Sequence, residues 1–247
     1  MTQLHGVVYV VCQQSSTILR FNTATRQRLT DIEVSGLAWP LDLAACEGTS
    51  RVYVADIGSI WRASADDADI KRWLPKSTSC TFTPSALSVR STRLLVTSRY
   101  THQLIQFDAV GDELSRVQLP DDVEPWHSVE SPAGTFVVSL YNSRLEVRQV
   151  VEVNHIGEML HQFGGSRSLG YAPHVAVDVD SQSNIFVSDA RSSRILLHDN
   201  RLRLRRVIVD EYQLNHMRPL RLCYIERSRQ LLVGFNNASF AVFDVLR

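Results

Sequence analysis

Four side chains that could hold a metal or a charged ligand recur at one place relative to a proline. Asp42, His127 and Arg221 stand two residues after Pro40, Pro125 and Pro219, and Ala86 stands two after Pro84. In a fifth copy the aliphatic register puts His174 at the same place, with Pro173 displaced by one. Imidazole and carboxylate are good ligands for divalent transition metals. Polar residues bonded to backbone or water would leave the same pattern. No third histidine falls at an equivalent position, which argues against a metal site, and no cofactor is expected.

A second set pairs arginine with aromatic side chains in polar gaps between apolar runs. It comprises Arg99, Tyr100 and His102, then Tyr141, Asn142 and Arg144, then Arg191 and Arg194, with Asn236 and Asn237 in the last gap. Trp126 lies beside His127. Arginine and aromatic rings together clamp phosphates and stack bases. The same pair dominates protein–protein hot spots. Solvated loop tips, braced by Arg144 and Arg194, are the plain alternative. Arg201, Arg203, Arg205 and Arg206 form a further basic group. Strand alternation sends three of them to one side, as on an outer edge strand protected against pairing. Asp66, Asp67 and Asp69 balance them from a distant part of the chain. No Gly-x-Ser-x-Gly elbow, phosphate-binding glycine loop or His-Glu-x-x-His helix occurs. Gly157, Gly164, Gly165 and Gly170 read as turn residues.

These residues are positioned by a period of about 45 residues, a spacing typical of repeated supersecondary units. Its clearest mark is an apolar run at Val7–Val11, Val52–Ala55, Leu94–Thr97, Phe136–Ser139, Ile185–Ser188 and Leu231–Gly234. The runs are short, β-branched and aromatic, which predicts buried strands. A third strand follows each, at Ile18–Phe21, Ile60–Arg62, Leu104–Phe107, Leu145–Arg148, Ile195–His198 and Phe240–Phe243. A looser fourth appears at Asp69–Trp73, Leu114–Leu119, Met159–Phe163 and Leu204–Val209. A proline-led first strand precedes most units, where a missing N–H costs little. Four strands in roughly 40–45 residues matches one propeller blade.

The stretch Ala172-Pro-His-Val-Ala-Val-Asp178, Ile185-Phe-Val-Ser-Asp189 and Arg194-Ile195 resembles the NHL repeat, and Arg51–Asp56 matches it in part. The other units keep the apolar rhythm and lose the Asp and the Arg-Ile pair. The expected fold is all-β: a six-bladed β-propeller of four-stranded antiparallel blades. The first and last blades are the ones the strand count leaves incomplete, since Val7 follows only six residues and the chain stops just past Phe243. In such a propeller Asp42, His127, His174 and Arg221 gather at the channel mouth, and the arginine–aromatic loops share that face. The resemblance implies a non-enzymatic domain binding a protein partner, or RNA as the second ligand class, as in the substrate-recruiting propellers of tripartite-motif ubiquitin ligases. It also implies an alternative, a metal-dependent lyase or lactonase acting at the channel.

Residues 1–247 read as one propeller domain of a longer protein. Equal numbers of acidic and basic residues give no global field for nucleic acid, so DNA is not an expected partner and RNA would need a local patch. No apolar stretch suits a membrane span or a signal peptide, and the scattered Cys12, Cys46, Cys80 and Cys223 suit a reducing, cytoplasmic setting.

Overall fold

The computed structural model describes residues 1–64, 70–74, 83–165, 176–235, 237 and 239–245. The fold class is a six-bladed β-propeller, one antiparallel sheet to a blade. The chain divides into two compact units, Met1–Arg116 and Val117–Arg247.

In the first unit, blade 1 consists of β1 (Thr2–Leu4), β2 (Val7–Val11), β3 (Thr17–Asn22) and β4 (Ile32–Glu33). Blade 2 consists of β5 (Asp42–Cys46), β6 (Arg51–Asp56), β7 (Ser59–Ser64) and β8 (Lys71–Leu74). Blade 3 is β9 (Ala86–Arg90), β10 (Arg93–Ser98), β11 (Gln103–Phe107) and β12 (Glu113–Gln118). In the second unit, blade 4 is β13 (Val123–Glu130), β14 (Phe136–Asn142), β15 (Val147–Val153) and β16 (Met159–Gly164). Blade 5 is β17 (Val177–Val179), β18 (Ile185–Asp189), β19 (Arg194–His198) and β20 (Leu204–Val209). Blade 6 has three strands, β21 (Pro219–Ile225), β22 (Gln230–Phe235) and β23 (Phe240–Asp244).

Blade 1 is not short of its first strand. Thr2–Leu4 pairs with Val7–Tyr9 through a two-residue turn at His5-Gly6. Both turn residues have positive φ, 48° and 77°, as a tight hairpin whose twist matches its strands requires. A three-residue strand with one apolar side chain carries no periodic signal, so composition alone could not show it. Blade 6 does lack a fourth strand among the described residues.

In blades 2, 3, 5 and 6 the second strand is the most deeply buried, because neighbouring sheets cover both of its faces. Within the first unit, Tyr53, Leu94, Val96 and Ile105 pack into one cluster, and Leu4, Ile18, Val52 and Val54 into another. Within the second, Val137, Val150, Ile185 and Val187 share a core, and Phe186, Ile195, Leu231 and Val233 share the next. Each such aliphatic side chain contributes about 1.5–3 kcal/mol of burial. The outer strands β12, β16 and β20 are largely exposed, which suits their mixed polar composition.

One turn recurs between third and fourth strands. Asn22 Oδ1 accepts the N–H groups of Ala24 and Thr25, each at 2.9 Å. Asp108 Oδ1 accepts those of Val110, Gly111 and Asp112. Asn154 Oδ1 accepts those of Ile156 and Glu158, and Asp199 Oδ1 those of Arg201 and Arg203. The side chain thus stands in for a backbone turn. Positive φ follows three or four residues on, at Arg26, Gly111, Gly157 and Leu202. These turns fix the end of the blades opposite the arginine–aromatic loops.

Candidate interaction face

Two residues of the repeat motif explain why the loops at the other end hold their shape. Asp56 closes β6 and is buried. It accepts the N–H groups of Ala38 at 3.2 Å and Trp39 at 2.7 Å, and the Trp61 indole N–H at 3.3 Å. Asp189 closes β18 at 1% exposure and accepts the Arg194 Nε–H at 2.9 Å and the Ser192 N–H at 3.3 Å. The motif aspartate is therefore a loop clamp. Arg194 is largely committed to it, and Arg191 on the same loop is exposed.

Blade 4 builds the strongest constellation. Tyr141 and Arg148 are direct cross-strand partners on β14 and β15. Trp126 sits in a register shift between Pro125 and His127 on β13. Such a bulge re-aims a side chain. The Arg148 guanidinium lies 4.9 Å from the Tyr141 ring centre and 5.8 Å from the Trp126 ring centre. Both rings attract the cation and fix its plane. The loop above them, Ser143–Glu146, is fully exposed, with Leu145 at 60% exposure beside Arg144.

The apolar pattern of the sequence places Leu145–Arg148 in one strand, which hides Arg148 among strand residues. That strand begins at Val147 and runs through Val153, so Leu145 is a loop tip and Arg148 belongs to the face. Trp126 likewise belongs to a strand and not to a loop. Asn142 is committed to the loop, its Oδ1 accepting the Leu145 N–H at 2.9 Å.

In the first unit Arg99 lies over the Tyr100 ring at 5.7 Å, and the His102 N–H closes the turn on the Arg99 carbonyl. Tyr100 is 75% exposed. Asp42 is buried in β5, where its Oδ2 accepts the Leu87 N–H of the next blade at 3.0 Å. This ties blades 2 and 3 together.

In the second unit His127 is buried in β13, and its carbonyl accepts the Ser139 hydroxyl. Arg221 follows a second bulge and donates from Nη1 to the Leu220 carbonyl at 3.1 Å. His174 lies outside the described residues, as do Asp66, Asp67, Asp69, Cys80, Gly170 and Asn236. Among the described residues no three His, Cys, Asp or Glu side chains are grouped to hold a metal ion. No helix among them is long and apolar enough to cross a membrane.

The basic group of blade 5 is partly committed as well. Arg203 donates from Nε to Asp199 at 2.8 Å and Arg205 to the Asn184 side chain at 3.1 Å. Burial raises the Asp199 pKa, but the hydrogen bonds from Arg203 and Arg201 outweigh it and hold the carboxyl down to about 2.

No protein-family model matches the sequence, and no curated protein aligns with it. Solved structures share the fold. A Bacteroides caccae protein of unknown function superposes with a TM-score of 0.73 at 11% identity, over 97% of this chain and 90% of that one. A chain of the nidogen–laminin complex gives 0.69 at 14% identity, over 97% and 89%. Streptogramin B lyase gives 0.65 at 9% identity, over 100% and 82%. At these identities the likeness shows the fold alone, a six-bladed propeller among propellers.

Proposed function

We propose that this chain is a non-enzymatic, NHL-like interaction domain that binds a protein partner through the loop face of its blades. The observation that carries this is the Arg148 guanidinium held between Tyr141 and Trp126 beneath the exposed Ser143–Glu146 loop. A fixed arginine flanked by aromatic rings loses little freedom on binding, and Arg, Tyr and Trp are the residues on which interface energy concentrates. The likeness to a chain of the nidogen–laminin complex supports a protein partner. The cytoplasmic setting draws its support from Cys12 and Cys46, which carry free thiols among the described residues.

The test compares the wild-type chain with Tyr141→Ala and Leu145→Asp in crosslinking from its own cell extract. A partner captured by the wild type should be lost from both variants, with affinity falling about 30-fold for a 2 kcal/mol hot spot. Capture unchanged in both refutes this face. RNA binding is read in the same preparation. If RNA is the ligand, affinity falls steeply with salt, and Arg99→Ala with Arg144→Ala reduces the slope by about 1.4.

The likeness to streptogramin B lyase favours a second reading, an enzyme acting at the channel. A stoichiometric, tightly held metal in the purified protein would replace the first reading with this one.

A further inference from the structure

The opposite end of blades 5 and 6 holds a cavity of about 260 Å³. It is independent of the interaction face, since the turns between first and second strands form its walls. Those turns are clasped together. Glu226 accepts the Ser181 N–H at 3.0 Å on Oε2 and the Ser181 hydroxyl at 2.7 Å on Oε1. Asp180 accepts the N–H groups of Gln182 and Asn184 on Oδ1 and the Asn184 side-chain amide on Oδ2. Both carboxylates lining the cavity are thus occupied by structural hydrogen bonds.

The cations are placed differently. Arg227 and Arg229 lie on the exposed turn of blade 6, and Arg206 lines the cavity from blade 5. The side chains of Arg227 and Arg229 make no ion pair or hydrogen bond among the described residues. The floor is apolar. Phe186 stacks on Tyr224 with ring centres 4.6 Å apart and planes at 26°, and Leu197 and Val245 continue it.

We propose that this cavity binds a small oxyanion, a phosphate or carboxylate group on a compact apolar body. Arg227 and Arg229 hold the charged group while the body rests on Tyr224 and Val245. The guanidinium fork matches both headgroups in a way a single point charge does not. The volume limits the body, because pockets for drug-sized ligands begin near 300 Å³. A single ring fits that limit and a nucleotide does not.

The test is calorimetric titration of the full chain at fixed ionic strength with inorganic phosphate, phenyl phosphate and benzoate. One site per chain is expected. Phenyl phosphate should bind at least ~3-fold more tightly than inorganic phosphate, since the ring buries apolar surface. The tighter of phenyl phosphate and benzoate identifies the headgroup. Arg227→Gln with Arg229→Gln should weaken binding at least ~10-fold with an unchanged melting temperature. In the wild type, NMR shifts on adding phenyl phosphate should concentrate at Tyr224 and Val245, a readout that needs no variant. The proposal is overturned if neither aromatic acid saturates a site, if the double variant binds equally well, or if phenyl phosphate gains nothing over inorganic phosphate.

Discussion

His198 offers a direct measure of what burial costs in this fold. It ends β19 with no solvent exposure, and neither ring nitrogen has a hydrogen-bond partner among the described residues. Its ring packs on Phe163 of β16 with centres 4.2 Å apart. Burial lowers its pKa from the ordinary 6.5 to about 4, against a smaller upward pull from Asp199. The unfolded chain takes up a proton below pH 6.5, while the folded chain refuses it until about pH 4. Stability from this residue is therefore complete above pH 6.5, falls as pH drops toward 4, and levels off below. The interval corresponds to about 3 kcal/mol, at 1.36 kcal/mol for each tenfold in proton affinity. His198→Phe removes the titration and the cost of leaving two ring nitrogens unbonded. Urea unfolding midpoints measured from pH 7 to pH 4 should lose this part of their pH dependence in the variant. The difference between the two proteins should grow by about 3 kcal/mol across the window. Parallel pH profiles, or a His198 imidazole that titrates near 6.5 by NMR, would refute the argument.

Asp178 acts in the opposite sense. Its burial raises its pKa from 3.8 to about 6, despite hydrogen bonds from the Tyr224 N–H at 2.6 Å and the Val179 N–H at 2.8 Å, with Asp180 and Glu226 adding to the rise. The folded chain holds the proton longer than the unfolded one, so stability falls by up to about 3 kcal/mol as pH climbs from 3.8 to 6. In Asp178→Asn this slope should vanish from the same unfolding series. Gly157 has φ +87°, and a Cβ there would stand 2.7 Å from the Gln118 carbonyl oxygen. Gly157→Ala should therefore cost more than ~1 kcal/mol in chemical unfolding, and an unchanged midpoint would sink this account. Asp189→Ala frees the Arg194 side chain and strips the Ser192 N–H, so a loss of about 2 kcal/mol is expected in thermal unfolding.

The apolar rhythm made the six blades legible because the middle of each second strand is buried and carries a short apolar run. Leu204–Val209 has the same bounds in sequence and in structure, but it does not alternate, and Arg201 and Arg203 belong to the Asp199 turn before it and not to one side of a strand. Where a strand is short or its apolar run spills into a loop, the signal fails. Thr2–Leu4 has too few residues to show a period. Leu145 extended an apolar pattern by two residues and so concealed both the loop tip and Arg148. The recurring Asn22, Asp108, Asn154 and Asp199 stood in plain view. Their signal is a polar residue followed by positive φ three or four positions later, and Arg26 and Leu202 hide that conformation where a glycine would have announced it.

The two ends of a blade solve different problems, and this bears on where each ligand belongs. The turns between third and fourth strands repeat one solution, in which a single side-chain oxygen serves two or three backbone N–H groups. Their side chains are consumed by structure. A buried aspartate ends the second strand of blades 2 and 5 and clamps neighbouring loops, whereas blade 4 ends β14 in the half-buried Asn142, which bonds the Leu145 N–H, and adds the Tyr141 and Trp126 rings beside Arg148. Asn142 alone closes that loop, so the aromatic–arginine cluster is an addition to it. Burying part of an arginine between two aromatic rings costs desolvation that an Asp-capped loop avoids. The ring contacts offset part of that cost, and an ordered guanidinium beside the exposed Arg144–Leu145 tip is what a partner would meet. Blade 4 is thus where binding at this face should concentrate. The arginines of the blade 5–6 cavity are a separate case, because Arg206, Arg227 and Arg229 outnumber the carboxylates Asp180 and Glu226 there and leave an excess of cationic charge for an incoming anion.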